Sequence, residues 1–133
     1  MIAKRAVLAF VLYVALTFAW AVVWNLLLFK DAYHAATAAF VRDPPIFALG
    51  LAAIAIQAAA LIYLFERYYR REGVWEAILL TFAAGVFTLT FGALVIPAKF
   101  LVQGVATYAL LELGYGGIHH ILAGLLFFGL YRR

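Results

Sequence analysis

The sequence predicts an all-α fold, a four-helix transmembrane bundle with antiparallel neighbours. Three observations carry that prediction. Four apolar runs, residues 6–29, 46–65, 74–96 and 105–131, occupy almost the whole chain. Each reaches the ~20 residues a helix needs to cross about 30 Å of hydrocarbon. The composition, 69% hydrophobic and 12% charged over 133 residues with mean hydropathy +1.07, lies far from soluble domains, which are roughly half apolar and about a quarter charged. Lys and Arg fall in small groups at the ends of the runs, where charged residues meet lipid headgroups. One integral membrane domain over residues 1–133 is expected.

The first run follows Lys4 and Arg5 and contains Ala19-Trp20-Ala21, a small-x-small pattern like a signal-peptide cleavage site. It continues to Phe29, too long for a signal h-region, so it is expected to be an anchor. Residues 30–42 hold Tyr33, His34 and Phe40 with no Gly or Pro, which predicts a short helix along the outer interface. Asp43-Pro44-Pro45 offers an N-cap and prolines at the start of the second span. Arg70-Arg71-Glu72-Gly73 is expected to be a basic helix end with a glycine stop, and Pro97 is expected to close the third span. In the fourth, Gly114, Gly116 and Gly117 are expected to bend the helix.

Tyr68, Tyr69, Trp75 and Tyr131 flank the arginines as membrane anchors, with Phe29, Tyr33 and Phe100 marking the opposite boundary. Trp20 and Trp24, four apart on one helix face, are expected to pack in the core or against lipid, with stacking on a bound ring system as the alternative. Seven of the ten Lys and Arg residues belong to the two termini and the central loop. Positive residues concentrate on the cytoplasmic side, so the expected orientation is N-in and C-in.

At Trp24-Asn25-Leu26-Leu27-Leu28-Phe29-Lys30-Asp31-Ala32-Tyr33, followed by Arg42-Asp43-Pro44-Pro45, the chain resembles small bacterial four-span inner-membrane proteins of unknown function. The resemblance implies a multi-pass protein of the bacterial inner membrane and brings no catalytic residue with it.

The chain has no cysteine and no serine, which removes thiol redox chemistry, thiolate metal sites and Ser or Cys nucleophiles. The net charge of +4 sits at helix ends, so no nucleic-acid partner is expected. What remains is polar residues at membrane depth, where an unpaired polar group is costly and function is the first hypothesis. By position these are Gln57 in the second span, and His119 and His120 in the fourth, near mid-membrane, with Asn25, Gln103 and Glu112 toward the outer half.

Glu112 and His119 stand two turns apart on the face that carries Gly116, and His120 points about 100° away. A carboxylate and an imidazole there could relay protons or hold a cation. A packing role would instead pair Glu112 with Lys99 and the histidines with Gln57 or backbone carbonyls. Adjacent, divergent histidines on one helix do not clamp a haem, and two histidines with one glutamate match no metal signature. No cofactor and no catalytic role are expected. Two functions fit: a non-catalytic accessory or small-ligand or lipid-binding protein, and a small transporter or channel with an outward-opening path through Asn25, Gln57, Glu112 and His119. Gly and Ala on several helix faces favour a homo-oligomer or a place in a larger membrane complex.

Overall fold

The computed structural model describes residues 2–132, and no strand forms among them. Arg133, counted above among the basic residues, lies outside the described residues. Helix α1 (Ile2–Val22) runs into a π-helical turn, Val23–Leu28, and breaks at Phe29. The short α2 (Lys30–Thr37) follows, then α3 (Phe47–Tyr68). Helix α4 (Val74–Thr90) passes through a second π-helical turn, Phe91–Val95, into α5 (Ile96–Lys99), and α6 (Val105–Tyr131) closes the chain. Four helical stretches, Lys4–Leu28, Phe47–Tyr68, Val74–Lys99 and Val105–Tyr131, are long and apolar enough to cross a membrane. Apolar runs fold this way because lipid offers no partner to backbone N–H and C=O groups, and a helix satisfies them within the segment.

Several boundaries differ from expectation for local reasons. Pro97 does not end the third span, which reaches Lys99. The missing proline N–H falls in the first turn of α5, where a free N–H is not needed, and the π turn before it absorbs the change of phase. Asp43 does not cap α3, which starts at Phe47 without a side-chain cap. Helix α3 ends at Tyr68, ahead of the arginines, and Arg71 and Gly73 turn the chain with φ of 67° and 141°. The loop is fastened by Glu76, whose carboxylate oxygens accept the Arg70 and Glu72 N–H groups at 2.7 and 2.8 Å. Its negative charge also suits the first turn of α4. Gly114, Gly116 and Gly117 do not break α6. Gly116 serves packing instead, since a Cβ there would run into Leu89.

One end of the bundle, carrying Lys4, Tyr68, Val74 and Tyr131, is here called the basic end. Its core is solid: Ala9, Tyr13, Ala58, Leu61, Phe65, Ala77, Ala123, Phe127 and Tyr131 form one buried cluster. The Phe65 and Phe127 rings lie 4.6 Å apart between centroids. Helices α4 and α6 approach most closely where a Cβ on Gly124 would sit 2.7 Å from the Ile78 Cα, so only glycine allows the backbones so near. The fully buried Thr81 hydroxyl lies between the pair, sharing its one proton between the carbonyls of Ile78 and His120, each 2.8 Å away. Small residues and interhelical hydrogen bonds are how membrane helices associate without a hydrophobic drive.

Tyr131 corrects an expectation. It is buried rather than an interfacial anchor, donating to Glu66 at 3.3 Å beneath the Arg5 guanidinium, which lies 4.3 Å from its ring centre. Arg5 also approaches Glu66 at 3.9 Å, so α1, α3 and α6 are joined at this end. Trp75 and Tyr68 are exposed, while Tyr69 packs on Phe65 and donates to the Gly73 carbonyl.

Candidate functional site

Toward the α2 end the four long helices enclose a cavity of about 360 Å³. It forms because the residues facing inward there are small. Ala21 on α1, Gly50 and Ala60 on α3, and Ala84 and Gly85 on α4 cannot span the space that Phe65 and Phe127 fill at the other end. Residues 47–53 of α3 are exposed on every side, so this helix stands away from the bundle at the cavity, and Gly50 sits on the rim.

Of the five polar residues expected to form a site, four line this cavity: Gln57, Glu112, His119 and His120. Asn25 does not. It lies in the π turn after α1 and returns its amide to the Ala21 carbonyl at 3.0 Å, a contact within its own helix. Gln103 lies in the loop before α6 and contributes its backbone N–H to the Ala36 carbonyl.

The partners differ from those expected. His119 is 6% exposed, with Nε2 2.9 Å from the Thr17 hydroxyl, so α6 is bound to α1 rather than to Gln57. Its ring stacks on Tyr115 at an interplanar angle of 4°. Gln57 instead accepts a hydrogen bond from the Tyr13 hydroxyl at 3.3 Å. Glu112 is not paired with Lys99; its Oε1 accepts from the Tyr33 hydroxyl at 2.8 Å. His120, despite its different angle on the helix, is also interior, because Gly85 of α4 leaves room for the imidazole: a Cβ there would overlap the ring. Its Nδ1 is buried without a partner.

Tyr33, expected only to mark a boundary, is the main addition. It accepts from Trp24 Nε1 at 3.2 Å and donates to Glu112, so α2 is fixed over the α2 end of the cavity by a chain of two hydrogen bonds. Burial, reinforced by the Glu112 carboxylate, holds the Tyr33 phenol above the ordinary tyrosine value, so the hydroxyl keeps its proton and donates. Trp20 and Trp24 do pack, 5.4 Å apart between centroids, and Trp20 Nε1 donates to the Tyr115 carbonyl. Sequence reasoning also missed Tyr13 and Thr17. Two hydroxyls four apart in an otherwise apolar helix share one face, a pattern that could have pointed to them.

Chemically the cavity offers, among the described residues, one carboxylate, two imidazoles, an amide and hydroxyls on apolar walls, with no Lys or Arg. Among the described residues no group of three metal-ligating side chains forms. The four spans around this interior define a multi-pass membrane protein built about an intramembrane cavity. Comparison with protein-family models, with curated proteins and with solved structures finds no match.

Proposed function

We propose that this is a small-ligand-binding protein of the bacterial inner membrane, holding an apolar or lipid-like molecule in the cavity lined by Gln57, Glu112, His119 and His120. The carrying observation is the cavity itself: about 360 Å³ of space with convergent polar groups on apolar walls, the form expected of a small-molecule site. In this reading the protein is non-catalytic and works as a homo-oligomer or within a larger membrane complex. Both termini face the cytoplasm. In intact cells Arg71→Cys should then be shielded from an impermeant thiol reagent while Asp43→Cys is labelled, and the reverse pattern inverts the topology.

Gly50→Leu provides the test of binding. Gly50 lies on the cavity rim, and a Cβ there meets nothing within 4 Å. The added side chain therefore starts into open space at the rim. Native mass measurement in detergent should show bound mass on the parent protein that Gly50→Leu has lost. A clean multiple of the chain mass for both would reject the reading.

The transporter reading draws support from the two π-helical turns at the α2 end of the first and third spans, since such turns recur where helices must adjust at functional sites. Against it stands the solid aromatic core at the basic end, which leaves no polar continuation. Proton or cation flux into liposomes carrying the parent protein, reduced by Glu112→Gln, would establish it over simple binding.

A further inference from the structure

We propose that the cavity takes lipophilic cations, an organic ammonium on an apolar or aromatic body, with Glu112 as the counter-ion. This rests on the ligand-binding reading and specifies its chemistry. Among the described residues Glu112 is the only carboxylate on the lining, and neither Lys nor Arg lines the cavity with it. The ion pairs among the described residues are Arg5 with Glu66 and Arg70 with Glu72, both at the basic end, so none reaches Glu112. A carboxylate at membrane depth that has a single phenol for a partner is poorly compensated. A cation in the cavity completes it.

Local geometry leaves space for such a partner. The Tyr33 hydroxyl engages Oε1, while Oε2 makes no hydrogen bond among the described residues and lies against Gly92 in the second π turn. A Cβ at that position would stand 2.9 Å from it. Glycine thus keeps that oxygen clear of side-chain cover.

The remaining lining suits an ammonium and not an anion. Tyr13 and Tyr115 add aromatic side chains to the lining, and among the described lining residues no permanent positive charge is present to bind a phosphate or carboxylate. His120, 9% exposed with Nδ1 unpartnered, adds a buried polar group on the same cavity that the protein's own contacts leave unsatisfied.

A proton and an organic cation would compete for one carboxylate. The titratable groups around Glu112 are Tyr33 on α2 and Tyr108 and Tyr115 on its own helix. The π turn of the third span presents Gly92, and the cavity also carries Tyr13 on α1 and, two turns along the helix of Glu112 itself, His119 and His120. Protonating the carboxylate removes the counter-charge and protonating either imidazole adds a repelling charge. Both act in one direction, so cation affinity falls as pH falls.

The experiment uses phenyltrimethylammonium and its uncharged isostere tert-butylbenzene, measured by tryptophan fluorescence or calorimetry on the full chain in nanodiscs. The cation should bind the parent protein and lose about tenfold to a hundredfold in affinity in Glu112→Gln, the order of one partly screened charge–charge contact, since a quaternary nitrogen has no N–H to donate. The neutral isostere should bind the parent and Glu112→Gln alike, and Gly50→Leu should weaken both probes. Equal affinity of the cation for the parent and Glu112→Gln, or tighter binding of the neutral probe, would overturn the cation assignment while leaving the cavity as an apolar site. Binding of neither probe to the parent would overturn the ligand-binding reading as well. If Glu112→Gln does not fold, the two probes compared on the parent between about pH 8 and about pH 5 still decide, because only the cation should weaken on acidification.

Discussion

At the basic end, Phe65, Phe127 and Tyr131 fill the space between the helices. Next to that core, and sharing Tyr13 and Leu61 with it, the same four helices hold a cavity of about 360 Å³. Both ends are rich in glycine and alanine, so small residues alone do not decide which is solid. What differs is how they are used. Gly124 lets α6 approach the Ile78 backbone directly, whereas Gly50 faces open space and Gly85 accommodates a histidine ring. Close backbone approach draws helices together, and a large aromatic seals what is left. Where the glycine faces a polar side chain or nothing, the gap persists. Both π-helical turns also belong to the hollow end, where the regular helix phase is interrupted.

The largest expected effect tests the solid end. Gly124→Ala forces a methyl against the Ile78 backbone, which cannot move aside as a side-chain tip can, and should cost about 1–3 kcal/mol, the usual range for overpacking. Gly50→Ala, into open space, should change stability by less than ~0.5 kcal/mol. Thermal unfolding of both variants in one detergent compares them. Similar losses would mean that the two ends are packed alike and that the contrast drawn above is wrong.

Next comes the border between the ends. His119→Ala removes the contact with Thr17 and the stack on Tyr115, and should cost about 0.6–2 kcal/mol, the range for interhelical hydrogen bonds in membranes. His120→Ala should cost less, since Nδ1 has no partner to lose. Its deletion enlarges the cavity beside Gly85 and removes the packing on Phe82 of α4, but breaks no side-chain hydrogen bond between helices. A larger loss for His120→Ala than for His119→Ala would show that the His120 ring, not the Thr17 contact, holds this level of the bundle.

The sequence made the two ends legible to different degrees. Hydropathy located four spans to within a few residues, because the length of hydrocarbon to be crossed fixes the run whatever the packing. Gln57, Glu112, His119 and His120 stood out for a similar reason: each is an exception inside an apolar run. Their partners did not, because helical period places residues on a face without saying which helix lies opposite. Thus Glu112 was matched to Lys99 by proximity along the membrane normal, while the fold brings Tyr33 back from α2. Tyr131 sat where an anchor belongs by sequence, yet Arg5 and Glu66, on two other helices, draw it inward. The π turns left no sequence trace that marks them apart from ordinary apolar helix.

The smallest expected effect concerns the cover over the hollow end. Tyr33→Phe keeps the ring and removes the hydroxyl that links Trp24 to Glu112. Helix α2 retains the Gln103 N–H to Ala36 carbonyl bond at 3.1 Å, so the bundle should stay folded and the two lost hydrogen bonds should lower global stability by only about 0.5–1.5 kcal/mol, at roughly 0.6 kcal/mol for an average interhelical bond in a membrane. The sharper consequence is local. Ala36, 3% exposed, reports on opening of α2: introduced as Ala36→Cys, it should react with a thiol reagent about fivefold faster in the Tyr33→Phe background, the ratio for roughly 1 kcal/mol of lost local stability. A cysteine at Ala58, at the solid end and fully buried, should react at the same rate in both backgrounds. Acceleration at both positions would mean that Tyr33 supports the whole bundle. Acceleration at neither would mean that the Gln103 contact alone holds α2, and that the link from Trp24 through Tyr33 to Glu112 orients the carboxylate without fastening the cover.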